Sequence, residues 1–131
     1  MDRVIPVVVI KDINETEKTL SALRAGGINC AEITFRTACA EEAIKLGTKL
    51  FPDMNIGAGT VINEEQAIRA VNAGAKFIVS PGFSEKVALY VRKQGIPYYP
   101  GCVTPTEIMR ALELGITTVK FFPASVYGGL K

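Results

Sequence analysis

A period of about twenty residues restricts the fold of this chain more than any other feature. Glycines stand at 74, 95 and 115, spaced by 21 and 20 residues, and Gly26 lies a little over two such intervals upstream. Around each one the same unit recurs: an amphipathic stretch of helical period, the glycine, a short apolar run and a turn. Read this way, strands are expected at Ile5 to Ile10, Ile28 to Arg36, Asn55 to Thr60, Lys76 to Ser80, Ile96 to Tyr99 and Thr117 to Pro123. Helices are expected near Asn14 to Ala25, Ala38 to Leu50, Glu64 to Ala73, Ser84 to Gln94 and Pro105 to Leu114. Asn14, Asn63 and Thr104 are the candidate N-caps, and Thr104 with Glu107 forms a capping box.

Strict alternation at this period means parallel strands with helices outside them, as an open doubly wound sheet or a (β/α)8 barrel of the TIM type. The 131 residues suit one domain, residues 1–131, but supply only six strands and five helices. A closed barrel needs eight strands and typically 200 residues or more, so the barrel reading expects the last βα units to be missing. Either the sequence ends early or another chain covers the gap. Without cover, the first and sixth strands would be edges lined with Val and Phe.

Composition narrows the chemistry. Hydrophobic residues make up 48% of the chain, enough to fill a core, and a net charge of +2 with interspersed signs offers no basic stripe for nucleic acid. The apolar run from Val4 to Ile10 contains Pro6 and is too short to span a bilayer, so no membrane association is expected. Cys30, Cys39 and Cys102 are odd in number and form no Cys-x-x-Cys pair, which suits a reducing, cytoplasmic setting better than a disulfide framework. The chain has no histidine, and that removes Ser-His-Asp and Cys-His catalysis and the usual catalytic zinc sites. Covalent lysine chemistry, carboxylate acid/base work and oxygen-ligated metals remain.

The sixth run, Thr-Thr-Val-Lys-Phe-Phe-Pro, sets Lys120 mid-strand in apolar company. Lost hydration there favours the neutral amine, the form that attacks a ketone; the plainer alternative is a lysine whose stem covers apolar surface while its head reaches water. Other polar residues gather at strand ends, where parallel α/β folds bind ligands. Glu32, Thr34 and Arg36 alternate along one face of the second run, Gly57-Ala-Gly-Thr60 has side chains small enough for a ligand to approach the backbone, and Ser80-Pro81-Gly82 and Pro100-Gly101 end the next two. Singly, each has an ordinary structural reading: an ion pair, close packing, turn residues. Together they supply what a lysine nucleophile needs, with Glu32 as base and Arg36 as anion clamp.

Glu32-Ile-Thr-Phe-Arg-Thr37, Gly57-Ala-Gly-Thr-Val61, Ser80-Pro-Gly82, Pro100-Gly101 and Val119-Lys-Phe-Phe-Pro-Ala124 resemble, in order and spacing, the motifs of the class I 2-keto-3-deoxy-6-phosphogluconate (KDPG) aldolases, which include 4-hydroxy-2-oxoglutarate (KHG) aldolases. The resemblance covers essentially the whole chain. It implies a (β/α)8 barrel, commonly a homotrimer, and a lyase that releases pyruvate from a small-molecule 2-keto acid without a metal or other cofactor. It further implies that Lys120 forms the Schiff base, Glu32 is the acid/base, Arg36 and Thr60 hold the pyruvate carboxylate, and Pro81 and Phe122 line the pocket. The family's phosphate-binding segment follows a seventh strand, so no phosphate residues can be assigned here. Two other readings stay open: a phosphosugar isomerase or synthase of the same barrel class, in which Lys120 binds an anion without bonding to it, and an inactive barrel fragment or assembly module.

Overall fold

The structure is a computed structural model that describes residues 3–130. Five strands, β1 (Val7–Val8), β2 (Cys30–Thr34), β3 (Asn55–Gly59), β4 (Ile78–Ser80) and β5 (Tyr98–Pro100), form one parallel sheet in the order β1-β2-β3-β4-β5. Five helices alternate with them: α1 (Thr16–Ala25), α2 (Ala40–Leu50), α3 (Glu64–Asn72), α4 (Glu85–Lys93) and α5 (Pro105–Glu113). A strand order that runs straight along the sheet with crossovers of one hand puts every helix on the same face, whereas a doubly wound sheet reverses its order partway. The sheet is therefore an arc of a (β/α) barrel.

The twenty-residue period has a local cause. Gly27, Gly74, Gly95 and Gly115 all have positive φ and follow the last residues of α1, α3, α4 and α5. At each, the glycine N–H bonds back three residues and the next N–H, from Ile28, Ala75, Ile96 or Ile116, bonds back five, the hydrogen-bond pattern of the Schellman motif. In the first unit it is Gly27, and not the expected Gly26, that takes this conformation. Helix starts match the cap signals at Asn63, whose side chain accepts from Gln66 N–H, and at the Thr104–Glu107 capping box, and Ser84, expected inside its helix, caps α4 by accepting from Val87 N–H. Asn14 is not a cap. Asp12 caps a 3-10 turn over Ile13–Glu15 by accepting from Asn14 N–H, and α1 begins only at Thr16.

The two faces of the sheet divide the core. Ile33, Ile56, Ala58, Ile78 and Tyr98 pack outward against Leu20, Ala43, Ile44, Ala67, Val87 and Val91 of the helices. Residues that alternate with these, Cys30, Glu32, Gly57, Phe77, Val79 and Tyr99, fall outside that cluster and face the hollow of the arc. Phe77 fills it, with its ring over Gly57 and tilted against Tyr99, 6.0 Å between centroids.

The sixth strand is the main departure from expectation. Only Lys120 pairs, in a parallel bridge with Gly101: Lys120 N–H donates to the Pro100 carbonyl at 2.8 Å, and Cys102 N–H donates to the Lys120 carbonyl at 2.9 Å. Upstream, Thr117 and Thr118 part from β5 around a cleft of about 430 Å³, and downstream Pro123 has no N–H to extend the ladder. A strand held on one side alone, among the described residues, keeps few bonds. β1 is the opposite edge, and apolar side chains are exposed at both, with Val7 at 57% and Phe122 at 40%. No helix among the described residues is long and apolar enough to cross a membrane.

Candidate functional site

Glu32 lies on β2, paired with Val7 of β1 and Gly57 of β3, and is only 5% exposed. Its carboxylate bends toward the strand's C-terminal end and occupies the space a side chain at Gly59 would need, since a Cβ there would overlap Oε2. Phe77 fills the corresponding notch at Gly57. Both glycines were expected to open the backbone to a ligand; their missing side chains instead make room for neighbouring protein atoms. Burial pushes the Glu32 carboxyl above its ordinary value of 4.5, while the charges of Lys120 and then Arg36 pull it the other way. Lys120, bridged to Gly101 just past β5, and Arg36 are therefore the charged groups that act on this carboxylate.

Lys120 is half-buried, not enclosed as a mid-strand position would have it, because Phe121 and Phe122 beside it are exposed on the open edge. Its Nζ lies over the Phe122 ring, 4.4 Å from the centroid. The expectation that Lys120 and Phe122 share a face holds, although the strand that suggested it does not form.

Arg36 was expected to extend the Glu32 face of a strand. β2 ends at Thr34, however, and Arg36 stands exposed in the following turn. The turn is well anchored. Phe35 N–H donates to the Gly59 carbonyl at 2.8 Å, the Thr37 hydroxyl donates to the Ile10 carbonyl at 2.6 Å, and the Arg69 guanidinium stacks on the Phe35 ring at 5.7 Å. Thr60 follows β3 with φ of 54°, a left-handed conformation unusual for a β-branched residue. The adjacent Val61 N–H bonds the Val79 carbonyl at 3.1 Å and holds this bend to β4.

Pro81 follows β4 in a bend fixed by groups that sequence reasoning did not connect. The Ser80 hydroxyl donates to the Gly82 carbonyl at 2.6 Å and shares a hydrogen bond with the Tyr98 hydroxyl, which also accepts from Ser84 N–H at 3.4 Å. The Pro81 carbonyl passes so close over Gly101 that a Cβ there would overlap it. Tyr98 carried no signal beyond being an aromatic strand residue, because its partner is eighteen positions away. Glu32, Arg36, Thr60, Pro81, Lys120 and Phe122 thus all stand at the C-terminal rim of the strands, from four units of the chain. Among the described residues no cluster of His, Cys, Asp and Glu could hold a metal ion.

Proteins of known family resemble this chain along nearly its whole length. Residues 1–131 match the family model described as KDPG and KHG aldolase. The 2-dehydro-3-deoxy-phosphogluconate aldolase of Treponema pallidum is 49% identical over 127 residues, 97% of this chain and 60% of that protein. The KHG/KDPG aldolase of Escherichia coli K12 is 40% identical over 128 residues, 98% of this chain and 60% of its own length. The crystal structure of a KDPG aldolase from Legionella pneumophila, with pyruvate captured at low pH as a covalent carbinolamine intermediate, superposes with a TM-score of 0.92 at 43% identity, covering 96% of this chain and 61% of that one. The chain spans about 60% of the length of the curated relatives it matches. With the family model matched over residues 1–131 and these relatives aligned to nearly all of the chain, this chain belongs to the KDPG and KHG aldolase family.

Proposed function

We propose that this protein is a class I aldolase that forms a Schiff base on Lys120 and cleaves KDPG to pyruvate and glyceraldehyde 3-phosphate, KHG to pyruvate and glyoxylate, or both. The observation that carries this reading is the buried Glu32 carboxyl, set in the Gly59 notch on the hollow face of an arc at whose rim Lys120 is bridged to Gly101. The Lys120 amine attacks the C2 ketone and gives a carbinolamine, and Glu32 donates the proton with which water leaves to form the iminium. The iminium then accepts the electron pair of the C3–C4 bond as that bond breaks, while Glu32, directly or through one water, takes the C4 hydroxyl proton and the aldehyde departs. Protonation of the resulting enamine at C3 and hydrolysis of the new iminium release pyruvate and regenerate the amine.

A carboxyl held above its ordinary value by burial is suited to both directions of proton transfer. Arg36 and Thr60, on neighbouring turns, would hold the C1 carboxylate, the guanidinium by two parallel hydrogen bonds. Pro81 and Phe122 would line the pocket. The exposed apolar residues Ile108, Met109 and Leu112 of α5 support a homo-oligomer, a trimer by family resemblance, and an odd number of cysteines with no Cys-x-x-Cys pair supports a cytoplasmic setting.

Incubation with pyruvate and sodium borohydride, followed by peptide mass analysis, tests the reading. Irreversible reduction of a pyruvate adduct onto Lys120, lost in Lys120→Arg, is expected. An unlabelled Lys120 under saturating pyruvate would rule the covalent route out and favour the isomerase reading.

A further inference from the structure

Among the described residues, the hydroxyls of Thr16 and Thr34 are the buried side-chain polar atoms that have no hydrogen-bond partner. Thr16 begins α1, in the outer layer. Thr34 is different. It is fully buried, two residues beyond Glu32 on β2, and so shares the face that lines the hollow. Its register partner on β3 is Gly59. Side chains at paired positions of neighbouring strands stand about 5 Å apart. The position a Gly59 Cβ would take is the one Glu32 Oε2 occupies, so the carboxylate lies across the strand pair from Thr34 on that face.

A buried hydroxyl without a partner is costly, and valine would fill nearly the same shape without that cost. A hydroxyl retained beside a carboxyl that must change protonation state has one evident use, because it can turn to donate to the carboxylate or to accept from the acid. We propose that Thr34 is a positioning residue for Glu32, its hydroxyl holding the ionised carboxylate in the Gly59 notch during proton transfer. This rests on the reading of Glu32 as the acid/base, and it adds a residue that the site itself did not reveal. The charged groups acting on Glu32 are Lys120 and Arg36; β1 and β3 present Val7, Gly57 and Gly59 beside it, and Cys30 and Tyr99 are the other ionisable side chains on the same face.

The test reads Glu32 itself and the half-reaction it serves. The Glu32 carboxyl is titrated by 13C NMR in the wild-type protein, Thr34→Val and Thr34→Ser, and deuterium exchange at C3 of pyruvate is followed in D2O. Loss of a donor to the ionised form is expected to raise the titration midpoint in T34V by about one pH unit and to slow exchange about tenfold, with the borohydride-trapped yield unchanged. T34S, which restores the hydroxyl, is expected to return both to within about threefold of wild type. A T34V protein that titrates and exchanges as wild type does, even if it melts at a higher temperature, overturns the proposal. Should T34V fail to fold, the contrast between Thr34→Ala and T34S gives the same two readouts. Absence of exchange in the wild-type protein would reject the aldolase reading, while the carboxyl midpoints would still decide the role of Thr34.

Discussion

At Glu32 two opposing effects meet: burial disfavours the charged carboxylate, and Lys120 and Arg36 favour it, with burial the larger. A group whose folded-state value lies above its ordinary 4.5 binds more protons in the folded than in the unfolded chain at pH values between the two. Stability therefore falls as pH rises from about 4.5 through the folded-state midpoint, then levels off. Glu32→Gln removes this dependence. Urea melts are expected to show E32Q gaining on the wild type between pH 4 and pH 7, and equal differences at both pH values would mean that burial does not govern this carboxyl. In the same variant, aldol cleavage is expected to fall by roughly a hundredfold to ten-thousandfold. The residue scale is also where sequence reasoning was both strongest and most limited. Lys120 and Glu32 were legible because charge in apolar runs is conspicuous, whereas the use of Gly59 and Gly101 as notches for Glu32 and Pro81 was not, since each contact joins residues about twenty or more positions apart.

Among the elements, helix ends follow local rules closely. Thr104 and Glu107 bond each other's backbone N–H groups, and because α5 buries only Ala111 that cap is a large share of what holds the helix. Thr104→Ala is expected to cost about 1 kcal/mol by denaturant melting, with early loss of protection at the amides of α5 in hydrogen exchange. Neighbouring units are joined by a repeated device: Arg69 pairs with Glu41 and stacks on Phe35, and Arg110 pairs with Glu85 and stacks on Phe83. Both aromatic rings belong to rim loops, those of Arg36 and of Pro81, so helix packing steadies the turns that carry site residues. Element boundaries were less legible than element order. Arg36 and Thr60 lie past their strands because a parallel ladder runs only as far as a partner strand continues alongside, and that partner is distant in sequence.

For the molecule as a whole, the hollow of the arc behaves as a second, smaller core built around Phe77, which is 1% exposed and packs on Gly57 and Tyr99. Glu32 rests on the same face, so that filling also keeps the carboxylate dry. Phe77→Ala is expected to cost about 3–5 kcal/mol in denaturant melts, far more than removal of a surface ion pair. A cost under about 1 kcal/mol would mean that the hollow collapses freely.

Local chemistry in the chain was enough to determine the order of the first five strands and the five helices, the glycine stops after α3, α4 and α5 and the caps at Asn63 and Thr104, because each depends on neighbours within about five positions. Only the tertiary structure decided that the Glu32 carboxylate sits in the space left by Gly59, that Lys120 pairs through a single bridge, and that Thr34 is sealed beside the carboxylate. These depend on which strands lie side by side and how sharply the sheet curves, and the curvature arises from the packing of all the units at once.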